Sequence, residues 1–290
     1  MAQLGTCLWF DQQGDDAAKF YTNLFPSSRI TRSGKYGSQT APVIGRTPGT
    51  TMAVEFNIAN AIVMALNGGP IFKATPGLSF FVTCTDEAEI NSLWKSLSEG
   101  GTVRMRLDKY PWADRYGWTS DRFGVEWQLI LTPNSTGEKI ASSFLFVDEL
   151  FGRGEEAIKH YMSIFPNSKI QAISHDEKTK TVMHGAFTLN GQDFKLMEGP
   201  GTHSWKFNEA TSIVVFCDTQ DEIDYYWSKL LAGGSESQCG WLKDKYGVSW
   251  QIVPSFMGAL MADEKNVDKI MQVVFPMKKI DMKKILQAVG

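Results

Sequence analysis

A duplicated α+β fold is what this sequence predicts, and three observations predict it. The stretch LWFDQQGDDAAKFYTNLFPSSRI at 8–30 returns as FLFVDELFGRGEEAIKHYMSIFPNSKI at 144–170, and GVEWQLI at 124–130 returns as GVSWQIV at 247–253. The pairs Tyr21/Tyr161, Trp94/Trp227 and Trp127/Trp250 lie 140, 133 and 123 positions apart, so loops have changed length while core elements have not. Within each copy, stretches of strand alternation and helical spacing follow one another as strand, helix, strands, twice over. A period this long is a whole folding unit and not a solenoid repeat, so each copy is expected to carry its own core and its own candidate site.

The elements follow in order. A short apolar segment, Leu4–Phe10, leads to a helix whose apolar residues Ala17, Phe20, Tyr21 and Leu24 fall at i, i+3, i+4 and i+7, and Pro26 stops it. Strand-like runs come next at Met52–Asn57 and Ile62–Leu66, and LNGGP at 66–70 breaks the chain. The pattern then restarts with a strand at Leu78–Cys84. Asp86 is placed to cap a helix whose buried face is Ile90, Leu93, Trp94 and Leu97, and Gly100-Gly101 ends it. Val125–Ile130 closes the copy as a strand entered through the turn Asp121–Gly124. The second copy repeats this with Ala157, His160, Tyr161 and Ile164, then Phe187, Leu196, Ser212–Cys217, the helix residues Ile223, Trp227 and Leu230, and Val248–Val253. The polar TPNSTGEK at 132–139 marks the boundary, dividing the chain into 1–136, 137–254 and an extension at 255–290. Two helices fit the extension: Val267, Ile270, Met271 and Val274 in one, Ile285, Leu286 and Val289 after Asp281 in the other.

Composition narrows the function. The 290 residues are 43% hydrophobic and 21% charged, the mixture of an ordinary globular chain of about two domains. A net charge of -3 without a basic run argues against nucleic acid as a partner, because phosphate binding needs clustered Lys and Arg. The N-terminal MAQLGTCLWFDQ has no basic segment followed by an apolar one, and the uncharged run at 57–72 is interrupted by Asn, Gly and Pro, so a cytoplasmic location away from membranes is expected. Cys7, Cys84, Cys217 and Cys239 have no CxxC spacing, and Cys84 and Cys217, repeat equivalents within apolar runs, read as buried small side chains and not as bridges. No GxGxxG, GxxxxGK[ST], GxSxG or HExxH occurs.

The phrases AAKFYTNLFPSSRI, ALNGGP, DRFGVEWQL, QCGWLKDKYGVSWQIVP and MKKIDMKKILQAVG resemble the PhnB-like branch of the vicinal oxygen chelate (glyoxalase, bleomycin-resistance and dioxygenase) superfamily, over nearly the whole chain. The resemblance implies two tandem glyoxalase-like domains built from four βαβββ modules, two per copy, followed by the helical extension, with each pair of modules folding around a concave ligand cavity. That superfamily hosts isomerases, dioxygenases, thiol transferases and passive binders, so the fold does not fix the reaction.

Alternation along the strands then says which residues line the cavities. Val54 and Phe56 form the apolar set of MAVEFN, which turns Glu55 the other way; Val125, Trp127 and Leu129 pack under a helix, leaving Glu126 and Gln128 towards the concavity. The same logic assigns Cys7, Trp9, Ser79, Phe81 and Thr83 to the first cavity, and Ser143, Leu145, His184, Ala186, Lys195, Ser212, Phe216, Ser249 and Gln251 to the second. A slip of one residue inverts every assignment on a strand.

Metal-using relatives are expected to carry His, Gln or Glu on four strands. The matching positions here are Gly5, Ala65, Ser79 and Gln128 in the first copy and Ala141, Lys195, Ser212 and Gln251 in the second. Only the glutamines are plausible ligands and an ammonium at Lys195 repels a cation, so no metal and no cofactor is expected. Gln128 and Gln251 also fit buried amides that satisfy the backbone. Glu55 is either a solvated edge carboxylate or a partly buried base, and His184 either a satisfied histidine or one that titrates near neutrality. Trp9 and Phe81 suit stacking on a planar ligand. The branch's demethylubiquinone methyltransferase label implies a nucleoside cofactor, but no glycine-rich strand-to-helix turn that cradles one is visible. The reading is a metal-independent protein that binds a small organic molecule for sequestration or sensing, as a monomer that is an internal pseudo-dimer or as a homodimer. Its rival is a metal-dependent glyoxalase or dioxygenase-type enzyme. No catalytic residue is assigned.

Overall fold

The structure, a computed structural model, describes residues 2–290. The unit β-α-β-β-β occurs four times. The first module is β1 (Gln3–Phe10), α1 (Gly14–Leu24), β2 (Arg29–Lys35), β3 (Thr51–Ile58) and β4 (Ala61–Asn67). The second is β5 (Leu78–Cys84), α2 (Glu87–Ser98), β6 (Thr102–Tyr110), β7 (Ala113–Ser120) and β8 (Glu126–Leu131). The third is β9 (Ile140–Phe146), α3 (Gly154–Ile164), β10 (Lys169–His175), β11 (Val182–Leu189) and β12 (Gln192–Glu198). The fourth is β13 (Thr211–Cys217), α4 (Gln220–Leu231), β14 (Ser235–Glu236), β15 (Trp241–Lys243) and β16 (Ser249–Pro254), and the extension forms α5 (Met257–Met261), α6 (Glu264–Val274) and α7 (Met282–Val289). Asp86 caps α2 by accepting from the Glu89 amide, and Thr219 does the same for α4 with Glu222. The strands β2, β6 and β10 have no counterpart in the residue pattern. Each is a mostly exposed run with bulged pairing, which erases the alternation that would announce it.

The strands assemble into two eight-stranded sheets, ordered β14-β15-β16-β13-β1-β4-β3-β2 and β10-β11-β12-β9-β5-β8-β7-β6. Among the described residues one compact unit comprises 2–58, 62–72 and 208–290; the other comprises 59–61 and 73–207. These units do not follow the repeat. The expectation that 1–136 and 137–254 each close on themselves is corrected: the outer unit joins the first and fourth modules, the inner unit the second and third. The reason lies in the first strand of each module. Its parallel neighbour comes from its own module, β1 with β4 and β5 with β8, and its other edge needs an antiparallel partner. β1 finds β13, with Cys7 opposite Ser212, and β5 finds β9, with Ser79 opposite Ser143.

Both sheets bury one face under helices. In β3 the residues alternate strictly, with Val54, Phe56 and Ile58 buried, and Tyr21 of α1 stacks on Phe56 at 6.2 Å between centroids. In the inner unit Tyr161 of α3 stacks on Phe144 at 5.7 Å, and Trp127 and Leu129 of β8 are fully buried on the face that meets α2. The other face is concave. Phe81 on β5 and His184 on β11 have two strands between them, which in a flat sheet separates them by about 14 Å, yet their rings lie 5.6 Å apart. Trp9 on β1 and Trp241 on β15 are likewise two strands removed and 6.2 Å apart. Each sheet therefore curls until side chains meet across it.

The helical extension belongs to the outer unit and roofs one end of its concave face. The Met261 carbonyl lies 2.9 Å from where Gly34 would carry a Cβ, so α5 rests on the β2 backbone, and Gly258 lies against the Glu55 carboxylate. A Cβ at Gly34 meets backbone, and one at Gly258 would have to displace the Glu55 carboxylate. Asp268 of α6 ties the extension to the 38–40 loop, accepting from the Gln39 and Thr40 amides and from the Ser38 and Thr40 hydroxyls. The amides of Cys239 and Gly240 donate to the carbonyls of Met277 and Lys278 at 2.7 Å each. No helix among the described residues is long and apolar enough to cross a membrane.

Candidate functional site

On the inner unit's concave face, three residues fall in one row across neighbouring strands: Lys195 on β12 opposite Ser143 on β9, and Ser143 opposite Ser79 on β5. Gln128, on β8 opposite Phe81, donates from its amide nitrogen to the Ser79 hydroxyl at 2.9 Å and accepts from the Tyr116 hydroxyl at 2.5 Å. Both ends of this buried amide are thus engaged. Glu126 is also fully buried, and its carboxylate takes Arg104 at 2.8 Å and the Trp118 indole N–H at 2.8 Å. The Ser143 hydroxyl is shut away from solvent and makes no hydrogen bond. Burial, and secondarily the Lys195 charge, push the His184 imidazole down to about 4, so it is neutral at ordinary pH. Burial also lowers the Lys195 ammonium, with the charges of Asp193 and Glu138 partly offsetting it.

The outer unit repeats the plan with different side chains. Gln251 on β16 donates to the Ser212 hydroxyl on β13 at 3.0 Å, matching Gln128 and Ser79. Cys7 on β1 lies against both, and burial pushes its thiol up to about 12 despite their hydrogen bonds, so it is no nucleophile at neutral pH. The Ser249 hydroxyl is buried without a partner. The Trp9 indole donates to the Gly69 carbonyl at 2.7 Å and meets Phe72 edge-on. The Phe216 ring packs on Gly5, leaving 3.0 Å to where a Cβ would stand. Glu55 pairs with Arg32 at 2.9 Å on the side roofed by α5.

The alternation of the strands thus holds, while the grouping of the residues changes. Ser79, Phe81, Glu126 and Gln128 share a face with His184 and Lys195, not with Trp9 and Glu55. Ser212, Phe216 and Gln251 join Trp9, Glu55 and Cys7. Ala65 is a slip of register: it is fully buried on the helix side, against Gly14 of α1, and the concave residues of β4 are Met64 and Leu66. Sequence reasoning missed Tyr116, Trp118, Arg104 and Trp241, which sit on strands or edges with no clean alternation. Trp118 and Trp241 are matched residues of the repeat, 123 positions apart like Trp127 and Trp250, and that signal was available.

The donors gathered on these faces do not fit a divalent metal. Ser79, Gln128, Ser212 and Gln251 are hydrogen-bonded within the protein, the Glu126 and Glu55 carboxylates are paired with Arg104 and Arg32, and the Ser143 and Ser249 hydroxyls stand alone. Each face adds at most one further group: the His184 imidazole beside the Lys195 ammonium in the inner unit, the protonated Cys7 thiol in the outer one. Among the described residues no three His, Cys, Asp or Glu side chains converge as a metal cluster. The turns where strands enter helices are also filled from within. Asn67 accepts from the Gly14 amide at the start of α1, and its counterpart Glu198 accepts from the Gly152 and Gly154 amides at the start of α3.

Two curled sheets of paired βαβββ modules, each concave on one face and helix-covered on the other, define the tandem glyoxalase-like fold of the vicinal oxygen chelate class. Glyoxalase I of Zea mays is similar at a TM-score of 0.57, with 12% identity over 88% of this chain and 93% of that one, a likeness of fold alone. The 3-demethylubiquinone-9 3-methyltransferase family matches residues 2–130 and 138–253, and the chain belongs to that family. The PhnB protein of Bacillus cereus is 32% identical over 44% of this chain and 98% of its own, with a TM-score of 0.41. No curated protein matches the chain.

Proposed function

We propose that this protein binds a small organic molecule on the concave face of one or both sheets, for sequestration or sensing, without a divalent metal. The observation that carries the reading is the regrouped donor set: at the centre of each sheet a serine and a glutamine hydrogen-bond each other, Ser79 with Gln128 and Ser212 with Gln251. Neutral polar groups rimmed by aromatic rings suit an organic ligand. The carboxylates on these faces, Glu126 and Glu55, are each paired with an arginine, and the buried Cys7 thiol is held protonated, which favours binding over metal or nucleophilic chemistry.

Methyl transfer, which the family's name carries, is not our reading. A nucleoside cofactor in an α/β sheet rests on an open glycine-rich turn at a helix N-terminus, and here Asn67 and Glu198 close those turns. Mass spectrometry of the gently purified full-length protein, native and then denatured, tests the proposal. A small molecule held in fixed proportion and released on denaturation is expected. Turnover of a substrate that requires an added divalent ion and stops with chelator would overturn it.

A further inference from the structure

Resting on that reading, we propose that the inner unit's concave face is specific for a small organic anion, its carboxylate or comparable oxyanion gripped by the row Lys195, Ser143 and Ser79. Three features of that row point to an anion. The Lys195 ammonium forms no hydrogen bond or ion pair among the described residues, although the residue is half-buried and lies in the sheet beside Ser143. The Ser143 hydroxyl is fully buried and also makes no hydrogen bond, which is an unfavourable state for a polar group unless something arrives to use it. The Ser79 hydroxyl accepts from Gln128 and so has its own proton free to give. An ammonium and two hydroxyls side by side are all donors, the complement of an oxyanion.

The acids around the row form their hydrogen bonds with other groups, and Asp193 and Glu138 act on Lys195 through their charge alone. Glu126 is held by Arg104 and Trp118. Asp193 accepts from the Gln171 amide at 2.6 Å and from the Glu138 backbone, while Glu138 accepts from the Asp193 backbone. His184, neutral and tilted against Phe81, contributes a polar edge without competing for the charge. The outer unit lacks this grip, because the residue matching Lys195 is Met64 and the one matching Ser143 is Cys7. Selectivity for anions is therefore a property of one site in the molecule.

The test is a titration of the full-length protein with benzoate and with its neutral counterpart benzamide, followed by calorimetry or ligand-observed NMR. Benzoate is expected to bind about tenfold more tightly than benzamide, the order of a single charge-assisted contact. Lys195→Met installs the residue the first repeat already carries on the same strand, so the fold is expected to survive, with an unchanged circular dichroism spectrum. That variant is expected to erase the preference for benzoate while leaving benzamide binding intact, and Lys195→Arg to keep it. Equal affinity for the two probes, or a preference that persists in Lys195→Met, would overturn the anion site and leave small-molecule binding standing. Failure of both probes to bind would overturn the anion site and count against the binding reading itself.

Discussion

His184 is the residue whose environment makes the sharpest prediction. Its pKa in the folded protein is pushed down to about 4 against an ordinary 6.5, so between those values the unfolded chain binds a proton that the folded chain refuses. Stability therefore rises with pH across that window and is lost as pH falls from about 6.5 towards 4, by roughly 3 kcal/mol at pH 4. Urea unfolding at a series of pH values is expected to show that slope, and His184→Phe to flatten it. A His184 resonance titrating near 6.5 in the folded protein would contradict the burial. The sequence showed this histidine on a strand but not its neighbours. Lys195 lies on a different strand of the same copy, and Phe81 belongs to the other copy. Gln128 and Gln251 were legible as a recurring pair; their serine partners were visible only as residues at the right parity.

At the scale of elements, the turn that enters the last strand of each repeat is built on one buried carboxylate. Asp121 accepts from the amides of Phe123 and Val125 and from the Trp127 indole at 2.8 Å; Asp244 does the same with Tyr246, Val248 and Trp250. This explains why GVEWQLI and GVSWQIV recur with an aspartate three residues ahead. The residue pattern identified the turn and the buried tryptophan, but not the bond joining them. Asp244→Ala leaves two amides and an indole N–H buried without an acceptor and is expected to destabilise the protein by roughly 3 kcal/mol. Denaturant unfolding measures it, and a loss below about 0.5 kcal/mol, the ordinary size of a surface substitution, would show that the carboxylate is dispensable. Helices and inner strands were readable because packing against one face imposes a period. The strands β2, β6 and β10, exposed and bulged, carry none.

For the molecule as a whole, duplication concealed the pairing. β5 and β13 are equivalent strands of the two copies, so nothing local tells β1 which to choose. The chain pairs β1 with β13, and in sequence the continuous stretch 73–207 of the inner unit falls between two stretches of the outer one. That continuity has a consequence: a fragment spanning 73–207 contains every strand of its sheet and is expected to fold as a cooperative monomer. A fragment of 1–136 leaves β1 and β5 without their antiparallel partners and is expected to self-associate. Sedimentation of the two fragments checks both, and a monomeric, folded 1–136 beside an unfolded 73–207 would favour the sequential division instead.

The reading of the whole protein stands on the chemistry of its two concave faces. They carry hydroxyls, amides, a protonated thiol and an ammonium beside carboxylates already paired with arginines and a single imidazole, and among the described residues no three metal-ligating His, Cys, Asp or Glu side chains converge. A ligand that binds the folded state alone raises its melting temperature, so a resident metal would announce itself in stability as well as in composition. Elemental analysis of the purified protein, paired with thermal melts with and without EDTA, is expected to give no stoichiometric Ni, Zn, Mn or Fe and an unchanged midpoint. One tightly held metal per sheet, whose removal lowers the melting temperature, would contradict it.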